Sequence, residues 1–376
     1  MQRSEIKFKK RWVVKVGSAL LTNEGQGLHT KMLDMLANQV AFLRTQGVEV
    51  LLVSSGSIAA GVSQLGVSTR PTKLNQLQAA AAVGQAALVR AYEVAFEPEN
   101  IQIAQILLTH ADIANRERYL NARGTLLSLL EMNVLAIINE NDSVANEEIC
   151  FGDNDSLAAL VANLVDADLL VLLTDQDGLY TADPRSNPDA SLIETARADD
   201  DELNAMASGG GTWGRGGMVT KLTAAQIASR SGASTIIANG RQEKLLESLY
   251  HGENLGTLLS ASQRLASKKQ WLAGQMHIAG TVVIDDGAEK VLRHSGRSLL
   301  PVGVLNFEGD FKRGELVSCR NQQGLEVARG LVNYSSKELV KLKGQVSADI
   351  AELLGYGGED ELIHRDHLVI ISKVEP

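Results

Sequence analysis

The sequence predicts an α/β protein with a mainly parallel open sheet sandwiched by helices, plus a small β-rich second domain. Up to about residue 260, short apolar runs alternate with helix-length segments. Strands that are apolar on both faces and separated by helices are typical of a parallel sheet covered on both sides. Beyond that point the sequence changes to short strand-like pieces between Gly-rich turns. A chain of 376 residues also exceeds the size at which one core usually stops growing, which favours two domains.

Six strands are predicted in the first part of the chain, each from a short apolar run. They are WVVKV (12–16), VEVLLV (48–53), IQIAQILL (101–108), VLAII (134–138), LLVLL (169–173) and STIIA (234–238). Helical patterns lie between them at 29–46, 74–97, 116–132, 155–166 and 218–231. Further on, strands are predicted at GTVVID, VGVLNF, GELVSC and LEVARGLVNY. We therefore expect domains at 1–262 and 278–358, a linker at 263–277 and a C-terminal tail at 359–376.

Net charge, cysteine content and the lengths of the apolar stretches argue against several classes of protein. The formal net charge of −9 argues against coating nucleic acid or an anionic membrane through net charge. Cys150 and Cys319 are far apart and belong to no Cys/His cluster, so neither a disulfide framework nor a zinc site is indicated. No apolar stretch approaches the roughly 18 to 20 residues of a membrane span, and no signal-type core follows the basic N-terminus. A cytoplasmic protein without membrane insertion is expected.

The first predicted strand carries a lysine inside an apolar run, in VVKVGSALL. If this is an edge strand, Lys15 can lay its stem on the sheet and keep its ammonium in water. If the strand is central, the buried ammonium needs an anion. The sequence leaves both alternatives open.

The second predicted strand ends in VSSGSIAAG, where Ser54, Ser55, Gly56 and Ser57 open a helix. The first N–H groups of a helix are unpaired and attract carboxylate or phosphate. One serine would be enough to cap this helix, so three serines and a glycine favour a ligand over capping alone.

Carboxylates and amides crowd around the end of the fourth predicted strand and the start of the next helix, in NENDSVA and GDNDSLAAL. They are Asn139, Glu140, Asn141, Asp142, Asp153, Asn154 and Asp155. So many carboxylates are costly to bring together unless cations lie among them. A substrate ammonium, Mg²⁺ or lysine side chains could supply that charge.

Two further segments have the character of a nucleotide site. LLVLLTDQDG places Thr174 and Asp175 at a strand end; its D-x-D-G lacks the remaining ligand spacing of an EF-hand. GGGTWGRGGMVTK (209–221) has six glycines, which make sense where backbone N–H groups must approach a ligand closely. It is not a P-loop, because Leu222 follows Lys221. Lys221 could place a positive charge on a transferring phosphoryl group.

These segments together indicate phosphoryl transfer. The sequence offers two lysines, anion-binding helix starts and a carboxylate cluster, without a Ser-His-Asp or Cys-His pattern or metal-ligand histidine spacing. Phosphoryl transfer depends mainly on positioning and charge neutralisation. An acceptor carboxylate is ionised at pH 7, so it needs no general base.

The same segments resemble the glutamate 5-kinase branch of the amino-acid kinase family. The resemblance rests on VVKVGSALLT, VSSGSIAAG, NARGTLLSLL, INENDSVA, GDNDSLAALVA, LLTDQDGLYTADPR and GGMVTKLTAA, in this order. The region from IAGTVVIDDGAEKVL to VARGLVNYSSKEL is similar to a PUA domain. The resemblance implies the amino-acid kinase fold and ATP-dependent phosphorylation of the L-glutamate γ-carboxylate, the first step of proline biosynthesis. It also implies Mg²⁺, feedback inhibition by proline and a homo-oligomer, either dimer or tetramer.

The resemblance also implies roles for individual residues. Lys15 and Lys221 would neutralise charge on the transferring phosphoryl group, and Asp155 would hold both lysines in place. Glutamate would be bound by Ser55, Asp142 and Asn154, with Asn139 and Asp153 close by. ATP would be bound by Lys15, Thr174, Asp175, Arg215, Gly216, Gly217, Met218, Val219, Thr220 and Lys221. No protein metal ligand is assigned. Arg215 and Val219 stand where the family often has small or hydroxylated residues, so a hydroxyl contact at 219 is not expected.

Alternatives within the family are kinases of aspartate, acetylglutamate, carbamate or a nucleoside monophosphate. A dinucleotide-dependent oxidoreductase is disfavoured because no Gly-x-Gly-x-x-Gly follows the first strand. A third alternative is RNA binding by the PUA-like region, where residues 287–345 contain ten basic and six acidic side chains. That excess is too small to indicate RNA binding by itself.

Overall fold

The computed structural model of the chain describes residues 1–22, 27–67, 69–145, 154–182, 184, 187–200, 203, 217–261 and 278–371. The chain forms two compact units. The first consists of Met1–Ala114 and Ala122–Arg264, and the second of Asn115–Asn121 and Leu265–Pro376. The domain boundaries expected from the sequence stay predictions.

The first unit is built on an eight-stranded sheet with the order β3-β4-β2-β1-β5-β7-β8-β6. Its strands are β1 Arg11–Val16, β2 Glu49–Val53, β3 Ile103–Leu108, β4 Leu135–Glu140, β5 Leu169–Thr174, β6 Thr195–Arg197, β7 Ser234–Asn239 and β8 Thr257–Ser260. All neighbours are parallel except β7 and β8, which are antiparallel. The predicted mainly parallel α/β fold is confirmed. The short strands β6 and β8 were not predicted, because three or four residues give no periodic signal.

The helices of this part of the chain are α1 Ser18–Leu21, α2 Thr30–Thr45, α3 Ser57–Gln64, α4 Leu74–Phe96, α5 His110–Ala114, α6 Arg116–Glu131, α7 Asp155–Leu164, α8 Gly217–Ser229 and α9 Leu245–Tyr250. Residues 116–121 of α6 belong to the second unit. On one face, Trp12, Val14 and Val16 of β1 join a core with buried residues of α2, α4 and α9. Because side chains alternate along a strand, Val13 and Lys15 belong to the opposite face, where α7 packs on β1 and β5.

Two glycines let α3 and α4 pack unusually closely. A Cβ added to Gly61 would lie 1.7 Å from the backbone oxygen of Ala80, and one added to Gly84 would lie 1.8 Å from that of Ser57. No side chain fits at either position. The contact brings the middle of α4 against the start of α3, which follows the end of β2.

The second unit is built on a five-stranded sheet with the order β10-β9-β11-β12-β13. Its strands are β9 Gly280–Ile284, β10 Val304–Glu308, β11 Leu316–Arg320, β12 Glu326–Leu331 and β13 Leu368–Ile370. Helices α10 Asp286–Ser295, α11 Ser336–Leu342 and α12 Ile350–Leu354 accompany it. β13 lies within the segment predicted as a C-terminal tail and pairs with β12. No helix in the described parts of either unit is long and apolar enough to cross a membrane.

Candidate active site

The carboxyl ends of four neighbouring strands bring the predicted site residues to one edge of the sheet. In the order β4-β2-β1-β5 the strands are parallel, so their ends lie at the same edge. Asn139 lies at the end of β4, Ser54 directly after β2, Gly17 directly after β1, and Thr174 at the end of β5. This edge is where an open α/β sheet binds ligands.

Lys15 lies in the central strand β1, with β2 on one side and β5 on the other. Only 5% of its surface is exposed. The edge-strand alternative is therefore wrong, and the anion that a buried ammonium needs is Asp155, whose Oδ1 lies 2.5 Å from Lys15 Nζ.

Asp155 also pairs with the second predicted lysine. Its Oδ2 lies 3.0 Å from Lys221 Nζ, and its carboxylate is fully buried. Asp155 is the first residue of α7, where the free N–H groups and the helix dipole favour a negative charge. One carboxylate thus lies between two lysines from different parts of the chain.

Lys221 lies in the second turn of α8, and a neighbouring side chain supports its position. Lys221 Nζ also donates to the Gly217 carbonyl at 3.0 Å. Thr220 Oγ1 lies 3.2 Å from Asp155 Oδ2 and 3.0 Å from the same carbonyl. Thr220, predicted as a nucleotide ligand, therefore also contacts the carboxylate.

The three charged groups carry a formal net charge of +1, from two ammonium groups and one carboxylate. Electrostatic interactions are stronger in a buried, low-dielectric place than in water. The cluster therefore attracts an anion at the sheet edge. Phosphate oxygens are the anions that such a pair of lysines suits in a transfer reaction.

A network of amides lies beside this cluster. Asn154 Nδ2 donates to the Ser54 carbonyl at 2.5 Å and to Asn139 Oδ1 at 2.6 Å. Asn139 Nδ2 donates in turn to Gln85 Oε1 at 2.7 Å. The predicted residues Asn139 and Asn154 are therefore in direct contact, and Gln85 of α4 joins them.

The start of α3 holds the remaining predicted substrate residues. Gly56 adopts φ 93°, a left-handed conformation that turns the chain from β2 into α3. Ser57 Oγ donates to Asp142 Oδ2 at 2.6 Å. Burial raises the pKa of the Asp142 carboxyl above 3.8, and the Ser57 hydrogen bond lowers it by less. Ser55 Oγ is buried and has no hydrogen-bond partner among the residues described.

The predicted nucleotide residues are more exposed to solvent than the buried lysines and amides. Thr174 is half-buried, and its Oγ1 donates to Asp175 Oδ1 at 3.2 Å; Asp175 is exposed. Gly217, Met218 and Val219 form the first turn of α8, and Gly217 and Val219 are exposed. The predicted residues Asp153, Arg215 and Gly216 lie outside the described residues.

Two buried residues of α4 at this site were missed by the sequence reasoning. Gln85 holds Asn139, and the Tyr92 hydroxyl lies 3.0 Å from Ser54 Oγ. Burial raises the pKa of the Tyr92 hydroxyl, which the Ser54 hydrogen bond lowers by less. A signal was present for Gln85, since it is a polar residue within the apolar segment AAAAVGQAALV. Without the packing of α4 on α3, nothing linked that residue to the site.

Comparisons with known proteins find two known domain families in this chain. The sequence model of the amino acid kinase family matches residues 10–239, and that of the PUA domain matches residues 280–354. Among solved structures, carbamate kinase from Giardia lamblia bound to AMP-PNP is 20% identical with a TM-score of 0.49, covering 68% of this chain and 100% of that one.

Full-length relatives are more similar. Glutamate 5-kinase of Pseudomonas entomophila is 57% identical over 371 residues, which are 98% of this chain and 100% of that protein. Glutamate 5-kinase of Hahella chejuensis is 56% identical, over 98% of this chain and 96% of that protein. With a family model that spans more than half of the sequence and relatives that match nearly all of it, the chain belongs to the amino acid kinase family.

Proposed function

We propose that this protein phosphorylates the γ-carboxylate of L-glutamate with ATP and forms γ-glutamyl phosphate, the first step of proline biosynthesis. The observation that carries the proposal is the buried cluster of Lys15, Asp155 and Lys221 at the carboxyl edge of the sheet. The relatives that match along 98% of the chain are named glutamate 5-kinases, which favours glutamate over the other substrates of the family.

The reaction needs charge neutralisation and alignment more than acid–base chemistry. A γ-carboxylate oxygen of glutamate forms a bond to the γ-phosphorus, the bond from that phosphorus to the β–γ bridging oxygen breaks, and ADP leaves with the electron pair. Lys15 and Lys221 would neutralise charge on the phosphoryl oxygens during this transfer. Asp155 keeps both ammonium groups within 3.0 Å of one carboxylate, so they act on the same place.

Glutamate would be held by the groups around α3 and Asn154. The first N–H groups of α3 are donors that suit a carboxylate. So is the Ser55 hydroxyl, which has no partner within the part of the chain that the structure describes. Asp142 and Asn154 offer acceptor oxygens that suit the α-ammonium. Asn139 supports Asn154, and Asp153 is assigned a place close by from the sequence alone.

ATP would bind beside Lys221, at the start of α8. The first backbone N–H groups of α8, close to Lys221, have no partner within the helix itself, and phosphate binds readily at such a helix start. The residues that would hold ATP are Lys15, Thr174, Asp175 and the segment from Arg215 to Lys221. Magnesium bound to the phosphates would neutralise part of their charge, and it commonly keeps phosphate and water oxygens as ligands.

The decisive experiment incubates the protein with ATP, Mg²⁺ and one candidate acid at a time, and traps the acyl phosphate with hydroxylamine. Hydroxamate is expected from glutamate. Hydroxamate from aspartate or acetylglutamate but not from glutamate would overturn the substrate assignment. Lys221→Ala is expected to lose turnover, and full turnover in that variant would overturn its role.

Arg215 allows a narrower test of the nucleotide segment. If its guanidinium contacts phosphate, Arg215→Ala raises the KM for ATP and leaves the KM for glutamate unchanged. An unchanged KM for ATP would remove the contact from the proposal.

Four expectations from the sequence stay predictions. They are feedback inhibition by proline, assembly as a dimer or tetramer, RNA binding by the PUA domain and a cytoplasmic location.

A further inference from the structure

Gln85 lies behind the candidate site and is joined to it by a chain of side-chain amides. Its Oε1 accepts from Asn139 Nδ2 at 2.7 Å, and Asn139 Oδ1 accepts from Asn154 Nδ2 at 2.6 Å. All three residues are buried, with at most 9% of their surface exposed. The chain of amides therefore connects the middle of α4 to the residue that precedes α7.

The orientation of both asparagine amides is set by backbone groups that act in only one way. The Glu140 N–H donates to Asn139 Oδ1 at 3.0 Å, so the Asn139 atom there must be the oxygen. The Ser54 carbonyl accepts from Asn154 Nδ2, so the Asn154 atom there must be the nitrogen. Asn139 must then turn its NH₂ group to Gln85, and Asn154 uses both of its N–H donors on Ser54 and Asn139.

Asn154 is left with one polar atom for a ligand, its Oδ1, which can only accept. Within the described parts of the chain, the side-chain hydrogen bonds of Asn154 all involve its Nδ2. At neutral pH, L-glutamate carries two carboxylates, which are acceptors, and one ammonium, which is its only strong donor. Asn154 Oδ1 can therefore pair only with the ammonium group.

We propose that Gln85 is a positioning residue that, through Asn139, holds the acceptor oxygen of Asn154 toward the α-ammonium of the substrate. The inference rests on the proposed function, because it takes an α-amino dicarboxylic acid as the substrate. Loss of the Gln85 oxygen leaves the buried Asn139 Nδ2 without its acceptor, so the Asn139 amide is no longer held at that end and shifts. Asn154, which donates to Asn139 Oδ1, shifts with it, and its own Oδ1 is no longer held toward the ammonium.

A second observation separates this role from a purely structural one. Gln85 Nε2 is buried and has no hydrogen-bond partner among the residues described. Leaving a buried donor unpaired is unfavourable. An apolar side chain of the same length avoids that cost, so the contribution of Gln85 lies in the bond that it accepts from Asn139.

The test measures two affinities: the KM for L-glutamate, and the inhibition constant of glutarate in competition with glutamate. Glutarate has both carboxylates and lacks the ammonium. In Gln85→Met, which keeps the length and removes the acceptor, the KM for glutamate is expected to rise about tenfold, equivalent to 1.4 kcal/mol. The glutarate constant and the KM for ATP are expected to stay unchanged.

Two variants control this experiment. Gln85→Glu keeps an oxygen that can accept from Asn139 and is expected to bring the ratio of the two affinities back toward the wild-type value. Tyr92→Phe removes another buried hydrogen bond of α4, the one to Ser54 Oγ, and is expected to leave the ratio unchanged.

The outcomes distinguish the inference from the proposed function. An unchanged ratio in Gln85→Met, or an equal loss of glutamate and glutarate affinity, overturns the positioning role. The same loss of discrimination in Tyr92→Phe also overturns it, because it would report general loosening of α4. A wild-type protein that does not phosphorylate glutamate overturns the proposed function instead.

Discussion

Replacing Asp155 with asparagine tests whether one buried carboxylate balances both lysines. Its oxygens lie 2.5 Å from Lys15 Nζ and 3.0 Å from Lys221 Nζ, and neither lysine is more than 9% exposed. Removing one partner of a buried ion pair costs about 3–5 kcal/mol, because the other charge is left uncompensated. We therefore expect the free energy of unfolding of the first unit to fall by about 3–5 kcal/mol. Turnover should fall at least about 100-fold, because both ammonium groups lose their fixed position.

Urea unfolding followed by tryptophan fluorescence measures the stability, since Trp12 is fully buried in β1. The hydroxylamine assay measures the turnover. Both are measured on the full chain.

A matched control uses the other end of α7. Asp166, just after this helix, pairs with Arg123 at 2.7 Å, but the two side chains are 27% and 12% exposed. Asp166→Asn removes one carboxylate charge in the same way, and a partly exposed ion pair contributes at most about 1 kcal/mol. If Asp155→Asn resembles Asp166→Asn in stability and turnover, the reasoning about charge balance is wrong.

Because burial raises the pKa of the Asp142 carboxyl above 3.8, the folded protein holds a proton that the unfolded chain releases in the pH window above that value. The contribution of this carboxyl to stability therefore declines as the pH rises through the window. When the free energy of unfolding is measured against pH, Asp142→Asn should flatten the curve in that window. An unaltered slope would contradict this prediction. Gly61→Ala should destabilise the protein by about 3 kcal/mol or more, because its Cβ would lie 1.7 Å from a backbone oxygen of α4. Gly124→Ala is the control, because no atom lies within 4 Å of a Cβ added to this glycine of α6. It should stabilise the protein by about 0.5–1 kcal/mol. Equal changes in stability for the two variants, measured by calorimetry, would refute the close packing of α3 and α4. In a Cys150→Ser variant, Cys319 should resist a disulfide reagent at pH 8 until urea is added, because burial raises the pKa of its thiol to about 12; rapid labelling of the folded protein would disagree.

The strand and helix pattern of the first unit was predictable because its signals are local. The run WVVKV became β1, and GDNDSLAAL placed Asp155 at the start of α7. Long apolar strands and helices with clear ends can be recognised from their own residues. β6, β8 and β13 do not, because each has only three or four residues and exists through its pairing partner. Helix α10 was missed for a related reason, since its sequence DGAEKVLRHS is mostly polar and has a single buried residue.

The sequence by itself determined which residue types stand at the strand ends and helix starts, and hence that lysines, carboxylates and amides would gather at one edge of a parallel sheet. Only the tertiary structure decided that β1 is central, because strand order depends on pairing between distant segments. That order buries Lys15 and makes Asp155 its counter-ion. The role of Gln85 was likewise beyond the sequence, since an amide becomes a donor or an acceptor only through its neighbours in space, and those come from α4, β4 and the start of α7.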